Sequence, residues 1–143
     1  MPEYRRREAA GELEFKPPRL DSRAKTLSVP SRNSDRDIHC RYFIPASSVS
    51  GNGVLLFIHG GGWTVFGCDI NDLLLAHIAD TTGIAVVSVE YRLAPEFPFP
   101  CGPEDCYDVA HWLIINSKDQ FGMEFGFVAG SVSLKYLVWL CDC

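Results

Sequence analysis

The sequence predicts an α/β protein: a parallel-rich sheet with an N-terminal hairpin and flanking helices. Three observations carry this. The run Val54-Leu55-Leu56-Phe57-Ile58 and the β-branched run at 84–89 have strand length and the unbroken apolarity of strands buried on both faces. One helix-length segment lies between them, which makes a strand–helix–strand unit and hence a parallel pair. Upstream, residues 26–29 and 38–44 read as strands. The turn chemistry of Ser31-Arg32-Asn33-Ser34-Asp35 separates them, which is a hairpin signature.

At 143 residues the chain is long enough for one domain with a real core. A formal net charge of -5 weighs against nucleic acid as the main partner. The basic run Arg5-Arg6-Arg7 meets Glu8, Glu12 and Glu14 at once, the pattern of a solvated mixed-charge segment. The N-terminus has no apolar signal core and no run approaches 18 apolar residues, so neither a secretory signal nor a membrane span is expected, and the expected location is cytoplasmic. Of the six cysteines, Cys40 falls in a strand pattern and Cys106 on a helix face, as buried free thiols. Cys141 and Cys143 form a C-x-C without a matching Cys/His pair, so no metal site is expected.

In chain order, residues 1–23 are polar and read as loosely held, with a short helix at 6–13. In the second strand Ile38, Cys40, Tyr42 and Ile44 share one face. A small-residue loop at 47–53 delivers the chain to the first buried strand. The next helix is expected over 69–82, with Asp69 as N-cap and Asp72 placing charge in the first turn. Its apolar face is read as Ile70, Leu73, Leu74, His77 and Ile78, with His77 a satisfied histidine rather than a catalytic one. Gly83 fits C′. Pro95, Pro98, Pro100 and Pro103 hold an extended crossing, Pro103 taking the first position of a helix over 104–117. That helix turns Cys106, Val109, Ala110, Leu113 and Ile114 inward and His111 to solvent. Gly122 closes the connection, and residues 125–129 form a third buried strand weakened by Gly126. The expected divisions are 1–23, a polar segment; 24–130, the main domain; and 131–143, a tail.

The stretch that organises the chain follows the first buried strand: His59-Gly60-Gly61-Gly62-Trp63. A glycine triplet admits backbone angles other residues avoid and lets a ligand approach bare N–H groups. Amides fixed at a strand end can stabilise the oxyanion that develops in acyl transfer. His-Gly-Gly-Gly is a known oxyanion-hole pattern of lipases and esterases. The competing reading is a glycine turn that only lets a helix pack close.

Together with Tyr91-Arg92-Leu93-Ala94-Pro95-Glu96, Pro98-Phe99-Pro100, Glu104-Asp105-Cys106 and Trp112, this motif resembles the hormone-sensitive-lipase-like esterases of the α/β-hydrolase fold. The resemblance runs over roughly 23–130, the N-terminal half of such an enzyme. It implies a partial α/β-hydrolase fold, an N-terminal contribution to a cap over the pocket, and hydrolysis of small-molecule carboxylic esters with short or medium acyl chains, without metal or cofactor. It implies that the Gly61 and Gly62 N–H groups are oxyanion donors, that His59 and Gly60 support the loop, and that Tyr91, Arg92 and Glu96 brace the fold.

The resemblance breaks at the nucleophile elbow. Where the family has Gly-Asp-Ser-Ala-Gly this chain reads Val128-Ala129-Gly130-Ser131-Val132-Ser133-Leu134-Lys135, and in the matching frame Val132 occupies the nucleophile position and Lys135 replaces a glycine. Ser131 and Ser133 are weak nucleophile candidates outside any Gly-x-Ser-x-Gly frame. The family's downstream acid and histidine have no counterpart. The expectation is an inherited carboxylesterase function with an incomplete, truncated catalytic apparatus, and self-association through an uncovered sheet edge. The alternatives are a non-catalytic ligand-binding relative and an inactive gene fragment.

Overall fold

The computed structural model describes residues 2–12, 18–32, 34–46 and 52–130. Among these the chain runs α1 (Pro2–Ala9), β1 (Lys25–Pro30), β2 (Asp37–Phe43), β3 (Val54–Ile58), α2 (Asp72–Thr82), β4 (Ala85–Val89), α3 (Cys101–Phe121) and β5 (Phe125–Gly130). The strands form one sheet in the order β1-β2-β4-β3-β5. The β1–β2 hairpin is antiparallel, and β2 joins β4 antiparallel with Cys40 opposite Val89. β3 lies parallel to both β4 and β5, with Leu55 opposite Val86 and Ile58 opposite Gly130.

The unbroken apolar run of β3 follows from helices on both faces of the sheet. Alternate residues serve different cores. Val54, Leu56 and Ile58 pack with Cys106, Val109 and Leu113 of α3, while Leu55 and Phe57 pack with Leu75, Ala76 and Ala79 of α2. Gly83 and Gly122 close the two helices at φ 73 and 69, left-handed angles that suit glycine.

Several elements differ from the sequence expectation. α1 lies earlier than the expected 6–13, and it is tied down: Arg5 bonds the Ala94 carbonyl and pairs with Glu96. β2 ends at Phe43, which enters the α2-side core, while Ile44 lies beyond the strand and is exposed. α2 starts at Asp72, not Asp69. Asn71 precedes it without a side-chain capping bond, and Asp69 contributes its carbonyl to Asp72 N at 3.1 Å. The inward face is Asp72, Leu75, Ala76 and Ala79, whereas Leu73 and Leu74 are about half exposed and His77 is exposed. Two alanines let the backbone approach the sheet, and Asp72 is drawn in by Arg41: Nε to Oδ1 is 3.0 Å, and Nη2 pairs with Oδ2 at 2.5 Å. Asp21 N adds a bond to Oδ2 at 3.1 Å.

α3 is longer than expected at both ends and starts at Cys101. Pro103 is therefore its third residue, still within the first turn, where a missing N–H leaves no intrahelical bond unmade. Cys106, Val109 and Leu113 are buried as expected and Ala110 partly so, but Ile114 is 64% exposed. The proline-rich approach is a set of turns rather than an extended crossing, with cis Ala94–Pro95 and Phe99–Pro100 bonds and Phe97 N bonded to the Leu93 carbonyl at 3.0 Å. Cys40, Cys68 and Cys106 are buried free thiols, Cys101 is partly exposed, and burial pushes the Cys40 thiol up to about 12. Cys141 and Cys143 lie outside the described residues. Among the described residues no helix is long and apolar enough to cross a membrane, and no group of His, Cys, Asp and Glu is placed to hold a metal ion.

Candidate active site

β3 delivers His59 and the three glycines to its own C-terminal end. Each of three successive peptide carbonyls there has a hydrogen-bond donor. The Tyr91 hydroxyl donates to His59 O at 2.8 Å. His59 Nδ1 donates to Gly60 O at 2.7 Å. Gly61 O accepts from Thr64 N, Val65 N and Thr64 Oγ1 at 3.1, 3.2 and 3.0 Å. A trans peptide is planar, so its N–H points opposite its C=O. Pinning these three carbonyls therefore fixes the N–H directions of Gly60, Gly61 and Gly62. None of those three amides is a donor in the bonds just given.

The loop requires glycine at one position more than another. Gly61 has φ 117, and a Cβ there would collide with the Val65 carbonyl. Gly62 has φ 60, but a Cβ there would meet nothing within 4 Å. Trp63 follows at φ 63, a left-handed conformation that costs a bulky residue on the order of 1–3 kcal/mol. Its surroundings hold it there. Ala94 N bonds Trp63 O at 2.8 Å, the indole tilts against Tyr91 with centroids 4.8 Å apart, and Gly102 of α3 leaves room for the ring. A Cβ on Gly102 would stand 2.9 Å from Trp63 Cε3 and 2.8 Å from Arg92 O.

Residues 90–105 form the buttress behind the loop. Asp105, fully buried, takes Arg92 Nε, Arg92 Nη2 and Arg92 N at 2.8–3.1 Å and also pairs with Arg36. This charge-assisted, multidentate pairing ties the 91–100 turns to α3 and the hairpin. Glu90 accepts from Cys68 N at 2.6 Å, holding the segment after the glycines. His59 is 1% exposed, and its ring stacks on Tyr91 at 4.1 Å and 9°. Burial holds its pKa below the usual histidine value.

The structure thus brings His59, Gly60, Gly61 and Gly62 together at one sheet end, and the Ile58–Gly130 pairing sets the end of β5 beside them. Gly130 is required by this approach, since a Cβ on it would collide with Ile58 O. Ser131 and Ser133 lie outside the described residues. The sequence reading missed the Tyr91–His59 stack, the left-handed Trp63 and the Asp105 hub. The signals available were the family resemblance, which implied that Tyr91 and Arg92 brace the fold, and the position of both residues just past a buried strand. A separate open cleft of about 470 Å³, lined by Arg32, Tyr107, His111, Trp112 and others, includes none of the loop residues.

The sheet is mixed rather than parallel-rich among the described residues, with two antiparallel and two parallel pairings, and it carries the pinned glycine loop at the end of an interior parallel strand, as an α/β-hydrolase frame does. A family model described as "alpha/beta hydrolase fold" matches residues 55–132. The chain is 36% identical over 115 residues to "Carboxylic ester hydrolase LipN" of Mycobacterium tuberculosis, covering 78% of this chain and 29% of that protein. It is 28% identical to "Arylesterase" of Saccharolobus solfataricus, covering 87% of this chain and 42% of that one. A solved Pyrobaculum calidifontis esterase superposes with a TM-score of 0.70 at 28% identity, over 87% of this chain and 41% of its own. The chain belongs to the hormone-sensitive-lipase-like esterases of the α/β-hydrolase fold. It spans well under half the length of these relatives.

Proposed function

We propose that this chain carries the oxyanion-binding part of a carboxylic ester hydrolase site, for small-molecule esters of short or medium acyl chains. The Gly61 and Gly62 N–H groups are the oxyanion donors, and His59 and Gly60 support them. The observation that carries this reading is the pinning of three consecutive carbonyls, which aims those amides while none of them donates in the bonds that pin the loop. Donors held rigid before the reaction need no reorganisation when charge develops, which is the basis of oxyanion stabilisation.

The nucleophile is the departure. Val132 has no hydroxyl to attack an acyl carbon, and Ser131 and Ser133 stand one residue to either side of the elbow position. The purified chain is therefore expected to hydrolyse p-nitrophenyl acetate no faster than an ordinary protein surface and to take no label from a serine-directed organophosphate. Turnover blocked stoichiometrically by the organophosphate would overturn this, and Ser131→Ala and Ser133→Ala would then identify the hydroxyl.

A further inference from the structure

The hydroxyl of Tyr91 makes contacts that a tyrosine merely filling the core does not need. Tyr91 is 2% exposed and its ring lies flat on His59. Its oxygen is 2.8 Å from His59 O and 3.2 Å from His59 Nδ1. A carbonyl oxygen only accepts, so the Nδ1 that sits 2.7 Å from Gly60 O carries the proton of the neutral imidazole. The single phenolic proton then has His59 O as its acceptor, and a Tyr91 lone pair faces Nδ1–H. The two donors act in sequence: Tyr91 O–H on the 59–60 peptide, His59 Nδ1–H on the 60–61 peptide. The remaining ring nitrogen, Nε2, is buried with no hydrogen-bond partner among the described residues. Hydrogen bonding at Nε2 therefore does not decide the tautomer; Gly60 O decides it, and the Tyr91 oxygen beside Nδ1 bears on where the ring sits.

We propose that Tyr91 is a positioning residue, whose hydroxyl fixes the 59–60 peptide and, lying beside Nδ1, holds the His59 ring where its Nδ1–H reaches Gly60 O, and so aims the Gly61 N–H. The inference rests on the reading of Gly61 as an oxyanion donor, but its test does not. Phenylalanine at 91 keeps the stacking on His59 and the contact with Trp63 and deletes only the hydroxyl. His59 O is then left without its donor, and the loss of one neutral hydrogen bond shifts a local equilibrium about three- to tenfold.

The test is 15N spectroscopy of the histidine-labelled and glycine-labelled chain at neutral pH, in solution or by magic-angle spinning if the chain associates. In the unsubstituted chain His59 is expected as the Nδ1–H tautomer, with a slowly exchanging Tyr91 hydroxyl and one sharp signal each for Gly60, Gly61 and Gly62. Tyr91→Phe is expected to broaden or multiply those glycine signals, while His59 keeps the Nδ1–H tautomer that Gly60 O imposes. Val109→Ala, a core truncation on α3, is expected to lower stability and leave both readouts unmoved. An Nε2–H tautomer or a fast-exchanging Tyr91 hydroxyl in the unsubstituted chain overturns the proposal whether or not the variant folds. So do Tyr91→Phe spectra with unchanged loop signals, and loop broadening of equal size in Val109→Ala. If the loop is ordered in this way but supports no ester chemistry, the spectra stay as expected and only the oxyanion reading fails.

Discussion

His59 shows how one buried side chain ties stability to pH. Burial depresses its pKa in the folded state, while the unfolded chain keeps a value near 6.5. Above that value both states hold the ring neutral and it contributes no pH dependence. As pH falls below about 6.5, the unfolded state takes up a proton that the folded state refuses, so stability falls, by less than about 1.4 kcal/mol per pH unit for one group. The loss continues down to the folded pKa. Thermal melts between pH 7.5 and 5.5 are expected to show this decline, and His59→Gln is expected to flatten it. Asp21, Asp35, Asp80 and Glu96, whose pKa values are lowered first by hydrogen bonds from Arg23, Ser31, the Ala46 backbone and Arg5 respectively, add a second loss at more acidic pH, which begins in the ordinary carboxylate range and continues down to their lowered folded values. The residues of the glycine loop were legible in the sequence because glycine triplets are rare and chemically specific. The Tyr91–His59 contact was not, because 32 residues separate the partners and nothing local in either stretch encodes their stacking.

Among the elements, β3 and β4 were legible because strands covered on both faces show as unbroken apolar runs. The inward face of α2 was misread for a related reason. Leucines at 73 and 74 looked like the core face, but the face is set by where the helix is anchored, and that anchor is Asp72 with Arg41. An aspartate in a first turn reads as a partner for the helix dipole, and only the fold reveals a fully buried carboxylate bonded to a strand. Asp72→Ala strands a three-quarters-buried Arg41 without its partner, at a cost of about 2–3 kcal/mol, below the usual figure for a fully buried pair because Arg41 reaches solvent. Asp72→Asn keeps an acceptor and is expected to lose less. Denaturant melts of the two variants check the order; equal stability of Asp72→Ala and the unsubstituted chain would show that α2 is held by its apolar contacts alone.

For the whole molecule, the sheet order leaves β5 paired on one side among the described residues, and α3 exposes Ile114 and Ile115 at 64% and 63%. An edge strand is a template for pairing, and exposed isoleucines favour association further. Sedimentation is expected to show concentration-dependent self-association; a monodisperse monomer with one cooperative transition and no binding of a dye for apolar surface would contradict it. The central claim, that the Gly61 and Gly62 amides form an oxyanion site, is tested most directly by joining residues 1–130 to the aligned remainder of the Saccharolobus solfataricus arylesterase and measuring p-nitrophenyl acetate hydrolysis with and without Gly61→Ala. The added Cβ collides with the Val65 carbonyl and so displaces the amide. The result expected is a folded, active chimera in which Gly61→Ala lowers kcat by about 10²–10³-fold with little change in KM, and Gly62→Ala lowers it less. A folded chimera without turnover, or one whose kcat is indifferent to Gly61→Ala, would contradict the claim.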